Sequence, residues 1–579
     1  MADFGVQSLA VFASRRIQRK VPVYGISMAR WALTPNLVWW CCTCLLWGAY
    51  AHAQDSRGDL TSASKPRFDL WELRVSGNSL LGIQEVERTL YRFLGAGKSV
   101  DDVEAAREAL TQAYSEAGYG TVLVNIPEQD VANGIVYLQV VEGRVEQSIV
   151  SGAKYHSPQR IREQVPALAD NGVLHLPSLQ TQLAALNAVS GDRAVTPVLR
   201  PGRTPGTVEV ELKVQDALPL HGSLALNDRY SLNTSRLRLE AQLSYGNLWQ
   251  REHSVSLQYQ TAPEELSEVQ VWAGTYVWRD FTKRSILALY GVHSESEVAA
   301  VGSFQVLGQG DIVGARLITP FAAQAGFSHS LTLGMDYKDF AEDLALTGNS
   351  VPVTTPISYI PFSVAYGGAK VGAAIDTRFE LGAHFGVRGV GDDEIDCEFQ
   401  RGDGSIGRQR INEFACKRAG AKPNFVYLTA SVEHTRELMK SIAMHVALRG
   451  QLADSPLISN EQFSAGGMDS VRGYLESERQ GDDAIQFNFE LRSSPRTMSI
   501  LNSLAELRAH GFIDAAWLNI REPLPGQARD YSLAGAGLGL RAGTFKGVGA
   551  AMDLAWALED GSDTQKGDLR WHFSLDYKF

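Results

Sequence analysis

The last nine residues, Trp571 to Phe579, restrict the possible folds more than any other stretch. Trp571, Phe573, Leu575, Tyr577 and Phe579 alternate with His572, Ser574, Asp576 and Lys578. A period of two sends successive side chains to opposite faces of a sheet, so one face here is wholly apolar and the other wholly polar. The pattern recurs upstream. Leu237, Leu239, Ala241, Leu243 and Tyr245 alternate with Arg236, Arg238, Glu240, Gln242 and Ser244. Ile442, Met444, Val446 and Leu448 alternate with Ser441, Ala443, His445, Ala447 and Arg449, and Ile485, Phe487, Phe489 and Leu491 with Gln486, Asn488, Glu490 and Arg492. Charges that recur at mid-strand on one face fit a hydrated lumen better than a packed core, with the apolar face turned to lipid. From Leu218 the texture is nearly pure strand. It reads as roughly sixteen antiparallel strands over about 360 residues, an even number as expected of a single-chain transmembrane β-barrel.

Upstream of Leu218 the texture is α/β. Leu70 to Val75 reads as a strand closed by Gly77-Asn78, and Ile83 to Phe93 as a helix with Ile83, Val86, Leu90 and Phe93 on one face. Gly95 and Gly97 break it, and Ser99 caps a second helix that runs to Ala117. Thr121 to Ile126 and Ile135 to Val141 then alternate as strands. The β-α-α-β-β order repeats in Val145 to Val150, Pro158 to Gln164, Pro177 to Val189, Ala194 to Leu199 and Thr207 to Val214. Two units of about 70 residues each are large enough for small cores of their own.

The N-terminus reads as an export signal. Arg15, Arg16, Arg19, Lys20 and Arg30 precede the apolar run Leu37 to Trp47, and Ala51-His52-Ala53 forms a small-x-small cleavage site. The run is too short to span a bilayer comfortably as a helix. Removing residues 1–53 takes away five basic residues and one acidic one, leaving 49 against 64, a balance of −15. That argues against nucleic acid as a partner. Cys41, Cys42 and Cys44 leave with the signal, so Cys397 and Cys416 remain, in a polar, Gly-rich segment that reads as a disulfide-bearing loop. No His or second cysteine pair lies nearby to complete a metal site. The division expected is a signal at 1–53, a short polar leader at 54–67, α/β units at 68–143 and 144–216, and a barrel at 217–579.

With the first strand ascending, connections after odd strands face outward. The short Gly246-Asn247-Leu248-Trp249 connection then falls at the inner end. Gly386 to Pro423, which carries both cysteines, becomes the fifth outer loop, and the sixth spans about residues 453–483. Long outer loops and short inner turns are the expected asymmetry.

The sixth loop contains Val471-Arg472-Gly473-Tyr474, and the thirteenth strand contains Gly511-Phe512-Ile513-Asp514. Together with Val140-Val141-Glu142-Gly143-Arg144-Val145 between the two α/β units, these residues resemble a two-partner secretion transporter (TpsB), of the haemolysin-activator and filamentous-haemagglutinin-transporter type (ShlB/FhaC/HecB). The resemblance covers essentially the whole chain after the signal. It implies two periplasmic polypeptide-transport-associated (POTRA) domains, then a sixteen-stranded barrel in the outer membrane of a Gram-negative bacterium. It also implies that the Val471–Tyr474 tetrad folds into the lumen and that Arg472 pairs with Asp514. The implied activity is export of a large unfolded partner exoprotein, with no cofactor and no catalysis. Partners are the exoprotein, outer-membrane lipid and the barrel assembly machinery, to which the terminal strand from Trp571 to Phe579 is the signal. Arginine suits the pairing because its planar fork can be held bidentately by a carboxylate.

One departure is visible. Gln54 to Arg67 is too short and too polar for the pore-plugging N-terminal helix and linker of the best-known members. Arg57-Gly58-Asp59 and Arg401-Gly402-Asp403 resemble adhesion tripeptides, but strings that short arise by chance. The rival readings are a barrel-assembly factor, for which two POTRA domains are few, and a passive porin, for which they are superfluous. A secreted enzyme would need a catalytic constellation, and neither a phosphate loop nor a nucleophile elbow appears.

Overall fold

Two small sheets, each backed by two helices, precede a closed barrel in the computed structural model. It describes residues 66–579 except 132, 233, 281–284, 297, 302–303, 308, 323, 325, 342, 345–352, 355, 391–393, 401–405, 501–502 and 545–546. The export signal with its three cysteines, nearly all of the 54–67 leader and both Arg-Gly-Asp strings lie outside the described residues.

In the first unit, Glu72–Ser76 runs parallel to Ile135–Val141, which pairs antiparallel with Leu123–Asn125. Val136, Leu138 and Val140 alternate onto the helical side and bury against Val86, Leu90, Val103, Ala106, Leu110 and Tyr114. Helix Val100–Glu116 opens on Ser99, whose N–H donates to the Asp102 carboxylate at 2.8 Å, so the cap reads back onto the turn that it starts. Two local readings need correction. Gly95–Lys98 is not a mere break but a short strand that pairs with Phe68–Leu70. Ile83 is 74% exposed, because Leu81, just ahead of the helix, takes the core position instead. The second unit repeats the arrangement: Arg144–Ser151 lies parallel to Thr207–Asp216, and Arg193–Pro201 completes the sheet.

The barrel closes with sixteen antiparallel staves. Strand 1 is Leu220–Asn227 and strand 2 is Arg238–Leu248, so the first inner turn is 249–252, a few residues later than the pattern suggests. Strand 7 is Phe327–Ala341, and strand 8 is Ile357–Tyr359 continued by Pro361–Val371. Strands 10 and 11 are Val426–Met439 and Ile442–Ala453. Strand 12 is Asp483–Ser493 continued by Arg496–Ile500, and strand 13 is Ser503–Asn519. Strands 14, 15 and 16 are Asp530–Thr544, Val548–Ala557 and Leu569–Lys578. Strand 16 pairs back onto strand 1 and closes the sheet, so no barrel edge is left free among the described residues. Leu224, Leu243, Leu257, Leu289, Leu448 and Ile513 stand exposed around the outside. Such a belt would be an aggregation hazard in water and is the ordinary lipid face of an outer-membrane barrel.

The interior departs from a simple hydrated lumen. At its outer end Val271, Tyr290, Ile312, Phe340, Tyr359, Phe425 and Tyr427 bury together with Phe414 and Ala421 of loop 5 and with Leu457 and Ile458 of loop 6. An apolar core therefore joins the outer strand ends to loops 5 and 6. These inward aromatics sit near strand ends, where the sequence pattern cannot separate them from a lipid-facing belt.

The second α/β unit is seated on the barrel's inner rim. Arg193 binds Glu252, and both side chains are almost fully buried. The Tyr155 carbonyl accepts from Asn247 Nδ2 and Gln250 Nε2, both at 3.1 Å, while the Ser157 N–H donates to Gln250 Oε1 at 2.9 Å. The first inner turn is thus the socket for this unit.

Candidate functional site: loop 6 and the wall that holds it

Loop 6, residues 454–482, returns into the barrel through a two-stranded stem, Phe463–Ala465 paired with Arg479–Gly481. Its tip carries the tetrad. Val471, Arg472 and Tyr474 are all buried. Gly473 has φ +103°, a conformation that L side chains rarely adopt, and a Cβ there would come within 3.3 Å of the strand 15 backbone.

Arg472 is the centre. Its Nε lies 2.7 Å from Asp514 Oδ2 and its Nη2 2.9 Å from Asp514 Oδ1, a bidentate grip on strand 13. Its own N–H also donates to Asp514, at 3.2 Å. Nη1 reaches Glu490 of strand 12 at 2.7 Å and Asp553 of strand 15 at 3.5 Å. The guanidinium carbon sits 3.5 Å from the centre of the Phe512 ring, a cation–π contact with part of the charge's water removed. Asn488 Nδ2 bridges the Asp514 carboxylate (2.8 Å) to the Ser470 carbonyl. Asp553 is itself held by Arg541 and His510.

The rest of the tip is tied to neighbouring wall. Gly473 N–H donates to His572 Nε2 of strand 16 at 3.1 Å. The Tyr474 hydroxyl lies 2.9 Å from the Ala534 carbonyl and 2.7 Å from that of Glu559. Asp469 pairs with Arg229 of loop 1 at 2.5 Å, and Glu478 accepts from Thr564 Oγ1 of loop 8 at 2.7 Å. Strand 14 makes room with glycine: Gly535, Gly537 and Gly539 face the lumen, and a Cβ on Gly535 would sit 2.0 Å from the Arg472 carbonyl oxygen. Every tetrad residue therefore touches strands 12 to 16 or the loops between them.

The structure brings Arg472 and Asp514 together. It also adds Glu490, Phe512, Asp553 and His572, to which the sequence assigned no role at the tip. Glu490 and His572 are marked as inward by the period-two pattern. The glycines at every second position of strand 14 are a second signal that was there to be read, since inward glycines mark a close backbone approach.

The remaining candidate residues lie elsewhere. Trp571, Leu575, Tyr577 and Phe579 are exposed on the outer face of strand 16, with Phe573 half-buried beside them. Cys397 and Cys416 are bridged, with Cα atoms 5.6 Å apart. The bridge ties the loop 5 hairpin, Glu394–Gln400 with Ile406–Asn412, to the short helix Glu413–Lys417. Closing a loop with a sequence separation of 19 is worth roughly 3 kcal/mol in the chain-entropy view. From the end of that helix Arg418 grips Asp482, at the base of loop 6, through both nitrogens, at 2.5 and 2.7 Å.

Comparison with known proteins bears on the fold that carries this site. The family model for the haemolysin secretion/activation protein ShlB/FhaC/HecB matches residues 371–542, and that for the ShlB-type POTRA domain matches 68–143. The chain is thus similar to the ShlB/FhaC/HecB family in its first α/β unit and in the central part of its barrel. Residues 371–542 hold loop 5, loop 6 and Asp514, so the match spans the loop 6 tip and its partner on strand 13. Among curated relatives, the outer membrane transporter CdiB of Escherichia coli O6:K15:H31 (strain 536 / UPEC) is 23% identical over 83% of this chain and 78% of its own length. The heme/hemopexin transporter protein HuxB of Haemophilus influenzae (strain 86-028NP) is 21% identical over 73% and 72%. Among solved structures, CdiB from Escherichia coli superposes with a TM-score of 0.60 at 19% identity, covering 90% of this chain and 93% of that one. BamA from Haemophilus ducreyi gives 0.51 at 14%, covering 88% and 100%. These matches support an outer-membrane transporter whose POTRA units are periplasmic.

Proposed function

We propose that this chain exports one large partner polypeptide, unfolded, from the periplasm to the cell surface, and that the Arg472 tip is the latch of its pore. The observation that carries the reading is the bidentate grip of Arg472 on Asp514, inside a barrel preceded by two POTRA units. A buried charge held by one wall makes a two-position element. Engaged, its cost of burial is met by three carboxylates and a ring; released, the tip leaves those carboxylates to water and frees that side of the lumen.

The POTRA units would take the partner in extended form, by adding its main chain to a sheet edge. In the second unit, Arg193–Pro201 is a poor edge because Pro197 and Pro201 lack an N–H to offer. Arg144–Ser151 lies at the opposite edge of that sheet. In this reading the chain performs no catalysis, and the work of passage comes from the partner's folding outside the cell.

The test is export in cells that carry the partner exoprotein, with the full chain or with residues 68–143 deleted. Partner in the medium, normalised to heat-modifiable barrel in the membrane, is expected with the full chain and lost on deletion. Undiminished export by the deleted form would remove the POTRA units from the reading.

A further inference from the structure

Loop 6 is fixed at two places, and only one of them is the Arg472 tip. At its root, inside the apolar core of the outer end, Glu461 is 1% exposed. Its carboxylate accepts from Lys338 Nζ at 2.5 Å, from the Tyr359 hydroxyl at 2.6 Å and from the Tyr427 hydroxyl at 2.7 Å. Its main-chain carbonyl accepts from Gln451 Nε2 at 3.2 Å. The donors come from strands 7, 8, 10 and 11, whereas the partners of the Arg472, Gly473 and Tyr474 polar groups come from strands 12 to 16 and the loop between the last two. Loop 6 is therefore a strap with its two anchorages on different parts of the wall.

The root anchorage is also the support of this apolar core. Tyr359, which donates to Glu461, packs edge-on against Phe414 of the loop 5 helix, with ring centres 5.3 Å apart. Phe425 stacks against Tyr427, the other tyrosine donor, at 6.0 Å. Arg418, one residue beyond that helix, bonds both to Asp482 and to the Leu457 carbonyl, and so clasps the two ends of loop 6.

We propose that Glu461 is a second positioning residue of the pore, holding the root of loop 6 and with it the loop 5 seal across the outer mouth, independently of the Arg472 tip. Three donors from three strands converge on one carboxylate, so the residue fixes the spacing of those strand ends as well as the place of the loop. A neutral side chain at 461 leaves the Lys338 ammonium buried without its anion, a state relieved by admitting water to the seal. Release of the tip alone opens the strand 12–16 side and leaves the mouth covered. Passage of a chain to the surface then requires the root to yield as well, so export is a two-latch process. The inference rests on the transporter reading of the lumen.

The test uses the full-length protein in planar lipid bilayers, where ionic conductance reports an open mouth and needs no partner. Glu461→Gln is expected to raise the fraction of time in conducting states about tenfold or more, given the large cost of breaking a buried pair. The temperature of its heat-modifiable transition should stay that of the wild type. The exchange Lys338→Glu with Glu461→Lys, which restores opposite charges across the same gap, should bring the conductance back toward wild type. A mere loss of barrel stability would show as a lowered transition temperature. Wild-type conductance in folded Glu461→Gln overturns the proposal, and so does an exchange variant as leaky as the single one. If Glu461→Gln fails to assemble, Tyr359→Phe with Tyr427→Phe removes two donors and keeps the ion pair. Raised conductance there supports the root latch, and unchanged conductance overturns it. Because no partner is present, a negative result leaves the export reading standing, and loss of that reading would come from the secretion assay alone.

Discussion

At the scale of single residues, the latch depends as much on what is missing from strand 14 as on what loop 6 supplies. The Arg472 carbonyl lies where a side chain on Gly535 would begin, and neither backbone can give way cheaply. Gly535→Ala is expected to displace the tip at a cost of about 1–3 kcal/mol, typical of overpacking, and to reduce export per folded barrel. Gly543→Ala on the same strand meets nothing within 4 Å and should export normally. Partner in the medium for the two variants, side by side, checks this. The tetrad and Asp514 were legible in the sequence because a short motif survives in one dimension. The roles of Glu490, Asp553 and His572 were not, because the period of two gives a residue's face but not its height in the barrel. Ion pairs between strands depend on height and register, which arise from closure.

At the scale of elements, the joint between the second POTRA unit and the barrel is organised by Asp216. Its carboxylate accepts the N–H groups of Lys154, Tyr155 and His156 at 3.0, 2.7 and 3.0 Å, and so shapes the segment whose Tyr155 carbonyl grips the first inner turn. Burial pushes the Asp216 carboxyl up, but the three N–H groups and the His156 ring outweigh it and hold the group below its usual range. A carboxylate with a lowered value adds stability that is complete above the ordinary Asp range, near pH 4, and fades as pH falls through its own lower value. The joint should therefore be firm at neutral pH and loosen only in strong acid. Asp216→Asn should leave it loose at neutral pH, with no further loosening in acid, since hydrogen bonds to a charge are worth about 1.5–3 kcal/mol each. Limited proteolysis between the unit and strand 1 reads this directly, and equal cleavage rates in both proteins at neutral pH would contradict it. Strand number and loop order were readable at this scale because alternation is local. The interruption of strand 8 before Pro361 and the one-residue slip of strand 12 at Ser494-Pro495 were not placed. Proline removes a ladder donor, but only the neighbouring strand fixes where the gap falls.

At the scale of the whole molecule, closure is thinnest where the ends of the barrel meet. Strands 16 and 1 are in register from Ser574↔Asn227 to Lys578↔Ser223, a shorter run than the Ala505↔Thr544 to Asn519↔Asp530 ladder between strands 13 and 14. Phe579 lengthens the seam: its N–H and carbonyl exchange hydrogen bonds with Gly222 at 3.0 and 3.2 Å, and its ring fills the space where a Gly222 side chain would stand. Deleting Phe579 should therefore lower the amount of heat-modifiable barrel while leaving export per folded barrel near wild type. Normal barrel levels in the deletion would contradict this. Period-two alternation along the strands predicts a barrel with a wet interior. The packed outer mouth escaped it, because Tyr359, Phe425 and Tyr427 look, one strand at a time, like residues bound for lipid.

In the export reading proposed above, Arg472 and Asp514 act as one contact whose engagement governs passage. This is tested most directly by a double-mutant cycle on secretion, with partner in the medium normalised to folded transporter in the membrane. Breaking a buried pair costs about 3–5 kcal/mol, enough to free a loop without unfolding a barrel of sixteen staves. Arg472→Ala and Asp514→Ala should each strongly reduce export while the barrel assembles, and the double variant should be little worse than either, as expected of residues that share one interaction. Wild-type export by Arg472→Ala, or losses that simply add in the double variant, would contradict the account.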